Sequence, residues 1–258
     1  MGIEDFGLQL FSLHDKAAVV TGGNTGLGRA LSVALAAAGA DILVAGLDED
    51  DGTTARLVEE RGQRMVFLKA DITQPEVAAH VVDTCVEEFG SIDVLVNSAG
   101  ISLLADVADF GRERWDPMVA VNLTAAFELA HEASRHMIPQ RSGKIINIAS
   151  LFAFLGGRTS PAYAATKAGL VGFTRAYCDE LAEHNIQVNA IAPGYFATAI
   201  TEATRSDDAA DRRIVEHIPA GRWGETSDLM GAVVFLASRA SDYVNGHVLT
   251  VDGGYLVR

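Results

Sequence analysis

The sequence predicts a single α/β domain built on a doubly wound parallel sheet with helices on both faces. Three observations carry that reading. Short apolar, β-branched runs recur along the chain with helical stretches between them, the pattern of successive βα units. The first such run is followed at once by a glycine-rich turn and an alanine-rich helix. No linker divides the 258 residues, a length that one large α/β domain accommodates.

Composition narrows the function classes. Hydrophobic residues make up 49% and charged residues 21%, as in ordinary soluble globular proteins. The formal net charge of −14 argues against a nucleic-acid backbone or an anionic membrane surface as partner. No stretch approaches the roughly 20 apolar residues of a membrane span, and the N-terminus lacks a basic region followed by an apolar run, so a cytoplasmic protein is expected. Cys85 and Cys178 fall in helical segments without metal-ligand spacing. They read as buried thiols in a reducing compartment, and no metal site is expected.

Residues 1–15 form a lead-in whose Phe6, Leu8, Leu10 and Phe11 could pack an edge. Lys16–Thr21 is the first buried strand. It runs into Gly22-Gly23-Asn24-Thr25-Gly26-Leu27-Gly28, and the helix from Arg29 stops at Gly39. Glycines there let the backbone turn tightly and approach a pyrophosphate, and the helix N-terminus offers free N–H groups to it. This is the Rossmann-type dinucleotide arrangement; the plain alternative is a tight turn without ligand.

The second strand, Asp41–Gly46, ends where such sites distinguish a ribose hydroxyl from a 2′-phosphate. Gly46-Leu-Asp48-Glu-Asp-Asp51 contains no Arg or Lys, nor does the glycine turn, so NAD is favoured over NADP. Gly46 holds the position that is usually acidic, leaving Asp48 as a displaced substitute; the four carboxylates could equally charge the N-terminus of a helix over 52–61.

Strand 64–70, helix 75–89 and strand 92–96 follow. Asp71-Ile72 and Asn97-Ser98-Ala99-Gly100 lie after strands, where ligands of parallel sheets sit. Asp71 either accepts from an adenine amino group or belongs to a helix N-cap. Ala99 and Gly100 are small enough for backbone to lie against a ribose or nicotinamide. A long helix spans 112–137, bent or restarted at Pro117, with Asn122 in an apolar run where its amide must find partners and could hold a local bend and a water. Strand 144–149 delivers Ser150, helix 161–184 follows, and strand 187–192 leads to Pro193-Gly194. The polar segment 199–220 reads as a mobile lid or a surface excursion. Helix 226–238 and strand 247–251 end the domain.

On the helix beginning near Pro161, Tyr163 and Lys167 stand one turn apart on one face. An ammonium near a phenol pulls its pKa down from about 10, making a proton donor and acceptor usable near neutrality. Read alone, the pair could also be an ordinary Tyr and Lys on a surface helix.

Taken together, Thr21-Gly-Gly-Asn-Thr-Gly-Leu-Gly28, Asn97-Ser-Ala-Gly100, Asn122, Ser150, Tyr163-Ala-Ala-Thr-Lys167 and Pro193-Gly194 resemble the motifs of the short-chain dehydrogenase/reductase family, from Lys16 to the end of the chain. The resemblance implies seven parallel strands, a homotetramer, and a catalytic tetrad of Asn122, Ser150, Tyr163 and Lys167. It adds Phe196 and Thr198, with Pro193 and Gly194, to the dinucleotide contacts. In this reading Tyr163 is the base in oxidation and the acid in reduction, Lys167 holds the nicotinamide ribose, Ser150 holds the substrate oxygen, and Asn122 anchors a water.

The stretches 185–194, 218–224 and 241–246 are most similar to the 2-dehydro-3-deoxy-gluconate 5-dehydrogenases, also labelled 2-deoxy-gluconate 3-dehydrogenases. The implied reaction is NAD-dependent interconversion of a secondary alcohol and a ketone on a sugar acid. That group implies arginines at positions 103 and 104, where this chain has Leu103 and Leu104. Arg158 could replace them, and Ser150, Tyr163 and Tyr195 are the other candidate substrate contacts. The alternatives are an NADPH-dependent carbonyl or 3-ketoacyl reductase and a non-catalytic dinucleotide-sensing protein.

Overall fold

In a computed structural model, which describes residues 7–258, seven strands form one all-parallel sheet in the order β3-β2-β1-β4-β5-β6-β7. The strands are β1 Ala17–Thr21, β2 Asp41–Gly46, β3 Met65–Lys69, β4 Val94–Asn97, β5 Gly143–Ile148, β6 Ile186–Pro193 and β7 Val248–Val251. Chain order reverses between β1 and β4, so the carboxyl ends of these two strands open the crevice in which ligands of such sheets bind.

The sheet is buried on both faces, which explains the strands' continuous apolar runs. Alternate residues go to opposite cores. Ala18, Val20, Ile42, Val44, Val94 and Val96 pack with α1 (Gly26–Ala37) and α9 (Met230–Ala237). Ala17, Val19, Leu43, Ala45 and Leu95 pack with α3 (Val77–Phe89) and α5 (Ala125–Gln140). Leu31 and Leu35 of α1 are fully buried, and each such side chain contributes roughly 1.5–3 kcal/mol by leaving water.

The remaining helices are α2 Thr53–Glu59, α4 Arg112–Val119, α6 Pro161–Leu181, α7 Glu202–Arg205 and α8 Asp208–His217. One expectation needs correction. Pro117 does not divide the long helix, because α4 runs through it. The irregularity is a π-helical turn at Ala120–Thr124, centred on Asn122, the residue expected to hold a local bend, and such wider turns often occur at functional sites. The segment 199–220, read as a lid or a surface excursion, folds as a 3-10 turn (Ala199–Thr201), α7 and α8. In the lead-in Leu10 is buried while Leu8 is exposed, and Phe6 lies outside the described residues.

Candidate active site

The glycine turn between β1 and α1 leaves no room for a side chain at Gly23 or Gly28. A Cβ on Gly28 would lie 2.1 Å from the Gly22 carbonyl oxygen, and one on Gly23 would lie 2.6 Å from Ser32 Oγ. Ser32 closes the turn by donating to the carbonyls of Gly23 and Gly28. Gly26, with φ +48°, has open space where its Cβ would be. No side chain caps the N-terminus of α1, so its first N–H groups and positive dipole end face the cleft. At the neighbouring strand end, Thr21 Oγ1 accepts from both Ser98 N and Ala99 N at 3.0 Å. That hydroxyl ties the β4 loop to β1 and sets the width of the cleft.

Two cavities meet at the carboxyl end of the sheet. One, about 280 Å³, is walled by Gly22, Thr25, Gly26, Leu27, Gly28, Ala99, Gly100, Phe196 and Thr198. The other, about 660 Å³, lies between the loop after β5 and α8, and Arg158 and Tyr195 stand in its wall. Ser150, Tyr163, Pro193 and Gly194 border both. The hydroxyls expected to handle the substrate oxygen therefore stand where the two spaces join.

The four predicted tetrad residues converge beneath this junction. Asn122, 1% exposed, accepts from Ile101 N at 2.8 Å and donates to Ile101 O at 2.9 Å. Its amide thus pairs with the loop after β4 as a strand would, which satisfies its buried groups. Lys167, 4% exposed, donates to Ile148 O at 2.7 Å and lies 5.5 Å from the centre of the Tyr163 ring. A Cβ on Gly100 would come within 3.3 Å of Asn122 Oδ1 and 3.6 Å of Lys167 Nζ, so glycine there admits both groups. Ser150 hydrogen-bonds Tyr163, and the Phe152 ring packs edge-on to the tyrosine.

The protonation states differ from the sequence expectation. Burial pushes the Tyr163 phenol above its ordinary value, and the Ser150 hydroxyl only partly offsets this. Lys167 sits over the tyrosine ring and spends a hydrogen bond on Ile148. Burial lowers Lys167 itself, to about 8. Of the pair, the lysine is the group poised near neutrality.

Several predicted residues lie outside the two cavities. Asn97 is buried and donates to Ala126 O and Asn147 Oδ1, so its side chain ties β4 to α5 and β5. Asp71 accepts from Thr73 N, Thr73 Oγ1 and Gln74 Nε2. Those bonds hold its carboxyl below the usual range in a local turn, while the N-cap of α3 is Glu76 rather than Asp71. Ile72 is buried beside it. Asn24 donates to the Asp48 carbonyl, and its Oδ1 lies 2.9 Å from where a Cβ on Gly46 would stand. The side-chain amide of Asn24 thus fills the space that an acidic residue at position 46 would enter, while the Asp48 side chain is exposed.

Three residues were missed from sequence. Lys69 pairs across the sheet with Gly46, a neighbour that linear order hides, and its ammonium binds Glu49 at 2.9 Å. Arg213 and His217, one helical turn apart on α8, line the larger cavity. The signal available for these two was only the cluster of arginines in a segment read as a lid.

Comparison with known proteins agrees with this geometry. A family model described as enoyl-(acyl carrier protein) reductase matches residues 22–256. The chain is 59% identical over 253 residues to the uncharacterized oxidoreductase YgcW of Escherichia coli K12, covering 98% of this chain and 97% of that protein. It is 47% identical over 252 residues to the 2-dehydro-3-deoxy-D-gluconate 5-dehydrogenase of the same organism, covering 97% and 99%. The crystal structure of a gluconate 5-dehydrogenase from Burkholderia cenocepacia in complex with NADP and tartrate superposes with a TM-score of 0.93 at 38% identity, covering 97% of this chain and 99% of that one. The chain belongs to the short-chain dehydrogenase/reductase family and is an oxidoreductase that acts on CH–OH groups.

Proposed function

We propose that the protein interconverts a secondary alcohol and a ketone on a sugar acid, with NAD as the preferred dinucleotide. The observation that carries this reading is the position of Ser150 and Tyr163 on the shared wall of a glycine-lined cleft and a second cavity. The names of the relatives support the substrate class. Gly22, Gly26, Leu27 and Gly28 would hold the pyrophosphate, and Gly100, Lys167 and Thr198 the nicotinamide end. The dinucleotide, when bound, supplies or accepts the hydride.

The chain's own groups handle the proton. Tyr163 Oη gives a proton to the substrate oxygen in reduction and takes it in oxidation, while the Ser150 hydroxyl donates to the developing oxyanion. Lys167, held near pKa 8 in a dry pocket, can release and regain a proton as the phenol is recharged. Asn122 positions the loop carrying Ile101, and with it the carbonyl beside which a relay water would sit.

Two observations support NAD. The cations near the end of β2 are already paired, Lys69 with Glu49 and Arg29 with Asp51. A 2′-phosphate would also meet the exposed carboxylate of Asp48. Solved relatives that carry NADP make this the point to test. A screen of sugar acids, their keto acids and neutral polyols with NAD and with NADP, followed by absorbance of the reduced dinucleotide, tests both parts. Turnover confined to neutral alcohols or acyl thioesters overturns the substrate class, and a kcat/KM higher with NADP overturns the cofactor.

We also propose self-association through the outer face of α5 and α6, as a tetramer. Phe127 is 45% exposed there, stacks on His131 and packs edge-on to Phe173 and Tyr177. Such an aromatic cluster on a surface marks an interface. Light scattering should give the mass of four chains and a smaller mass for Phe127→Glu.

A further inference from the structure

The larger cavity has a charge pattern opposite to that of the rest of the chain. The sequence carries 34 acidic and 20 basic residues, yet among the described residues no Asp or Glu lines this space, while Arg158, Arg213 and His217 do. Several guanidinium groups are spent on protein partners, such as Arg29 with Asp51, Arg64 with Glu88 and Arg222 with Asp228, while others, such as Arg175 and Arg239, are unpaired among the described residues but stand away from this space. Among the described residues, the guanidinium groups of Arg158 and Arg213 have no hydrogen bond or ion pair. Each is an unpaired cation at the wall of a cavity whose inner end holds Ser150 and Tyr163.

Helix α8 is held so that Arg213 stays at that wall. Ile214 and the following Ile218 are buried beneath it. Asp211 accepts from Trp223 Nε1 at 2.7 Å, and Trp223 packs edge-on to Tyr195, at 5.5 Å between ring centres. His217 lies 4.2 Å from the Tyr255 ring, which in turn lies 5.1 Å from Tyr195. The charge of Arg213 also reaches the half-buried Tyr195 phenol and counteracts the burial that pushes it up to about 12. Three aromatic rings therefore fasten the helix, and a cation faces in from it.

We propose that Arg213, with Arg158 across the cavity, binds the substrate's carboxylate and makes the enzyme select sugar acids over the corresponding neutral polyols. Guanidinium groups suit a carboxylate because their planar donors match its two oxygens. A carboxylate is favoured over a phosphate because Arg213 and His217 lie in the last half of α8, whose negative dipole end disfavours a dianion more than a monoanion. The inference rests on the sugar-acid reading and adds the residue that enforces it.

The test is calorimetric titration of D-gluconate, D-glucitol and D-glucitol 6-phosphate into the protein saturated with dinucleotide, for the wild type, Arg213→Gln, Arg213→Lys and Arg158→Gln. The wild type should bind gluconate at least tenfold more tightly than glucitol. Arg213→Gln should raise the gluconate Kd tenfold or more, leave the glucitol Kd within twofold, and be partly rescued by lysine; Arg158→Gln should act in the same direction. Equal affinity of the wild type for gluconate and glucitol overturns the proposal, as does an Arg213→Gln effect that is absent or equal on both. Tighter binding of the phosphate overturns the carboxylate assignment. Arg213-dependent gluconate binding without turnover of any sugar acid would leave this inference standing and sink the proposed function, whereas turnover of sugar acids unaffected by Arg213→Gln would do the reverse.

Discussion

The two halves of the site are built on opposite principles. In the half formed by the β1–α1 turn, Asn122, Lys167 and the Gly100 loop, polar side chains are buried and bonded to backbone, and Gly23 and Gly28 stand where a Cβ would collide. In the half formed by Arg158 and α8, the key cations are exposed and have no bonding partner among the described residues. The first half is fixed in advance of any ligand, as electrostatic preorganisation requires. The second completes its bonds only on a ligand, so it can change from one relative to the next without cost to the fold. The difference predicts that substitutions in the buried half damage stability and dinucleotide binding, while substitutions in the exposed half alter substrate choice alone.

The largest effect should come from Gly28→Ala. Its Cβ must displace the Gly22 carbonyl, so dinucleotide affinity should fall by two orders of magnitude or more, measured by fluorescence titration. Near-normal affinity would mean that the turn is not rigid. Lys167 gives a pH signature next. Its folded-state pKa of about 8 lies below its ordinary 10.5. Between these values the unfolded chain holds a proton that the folded chain has released, so stability rises with pH, by an amount on the order of 3 kcal/mol. Cys85, pushed up by burial to about 12, opposes this rise from about pH 9, and the raised Tyr163 does so from about pH 10, because in each case the unfolded chain ionises first. Lys144 contributes in the same direction as Lys167, so the measurement is the difference in urea unfolding between wild type and Lys167→Met, which should flatten the rise.

Asn122→Ala should cost about 1–3 kcal/mol, because Ile101 loses the partner of both its N–H and its C=O. An unchanged melting temperature would show that water substitutes freely. Lys69→Ala should have the smallest effect. It removes an exposed ion pair with Glu49, worth little in stability, and should shift the NAD to NADP preference by no more than a few-fold in kcat/KM. A larger shift toward NAD would identify Lys69 as a ligand of a 2′-phosphate.

What the sequence revealed follows the same division. The strands could be read because a two-sided buried sheet demands continuous apolar residues, and β2 was placed to the residue. The glycine turn, Asn122 and the Tyr163–Lys167 pair were legible because close approach and burial leave few residue types possible. A bend at Pro117 is the false signal, since the proline sits inside α4; the local bend expected at Asn122 is where the π turn lies, although the loop 21 residues away with which its amide exchanges bonds is not visible in the sequence. The proton chemistry was read with the wrong emphasis: proximity of Lys167 was visible in the spacing, but the burial that outweighs it was not. Arg213 was hidden for another reason. An arginine on a surface helix looks like any other until the fold turns that helix over a cavity.

The central claim is that the buried half handles the proton through Tyr163 and does so apart from holding the dinucleotide. Tyr163→Phe tests it most directly. Dinucleotide affinity should stay within about threefold of wild type while kcat on the best substrate falls by roughly 10²–10⁴. Turnover retained in that variant, or affinity lost in proportion to turnover, would contradict the account.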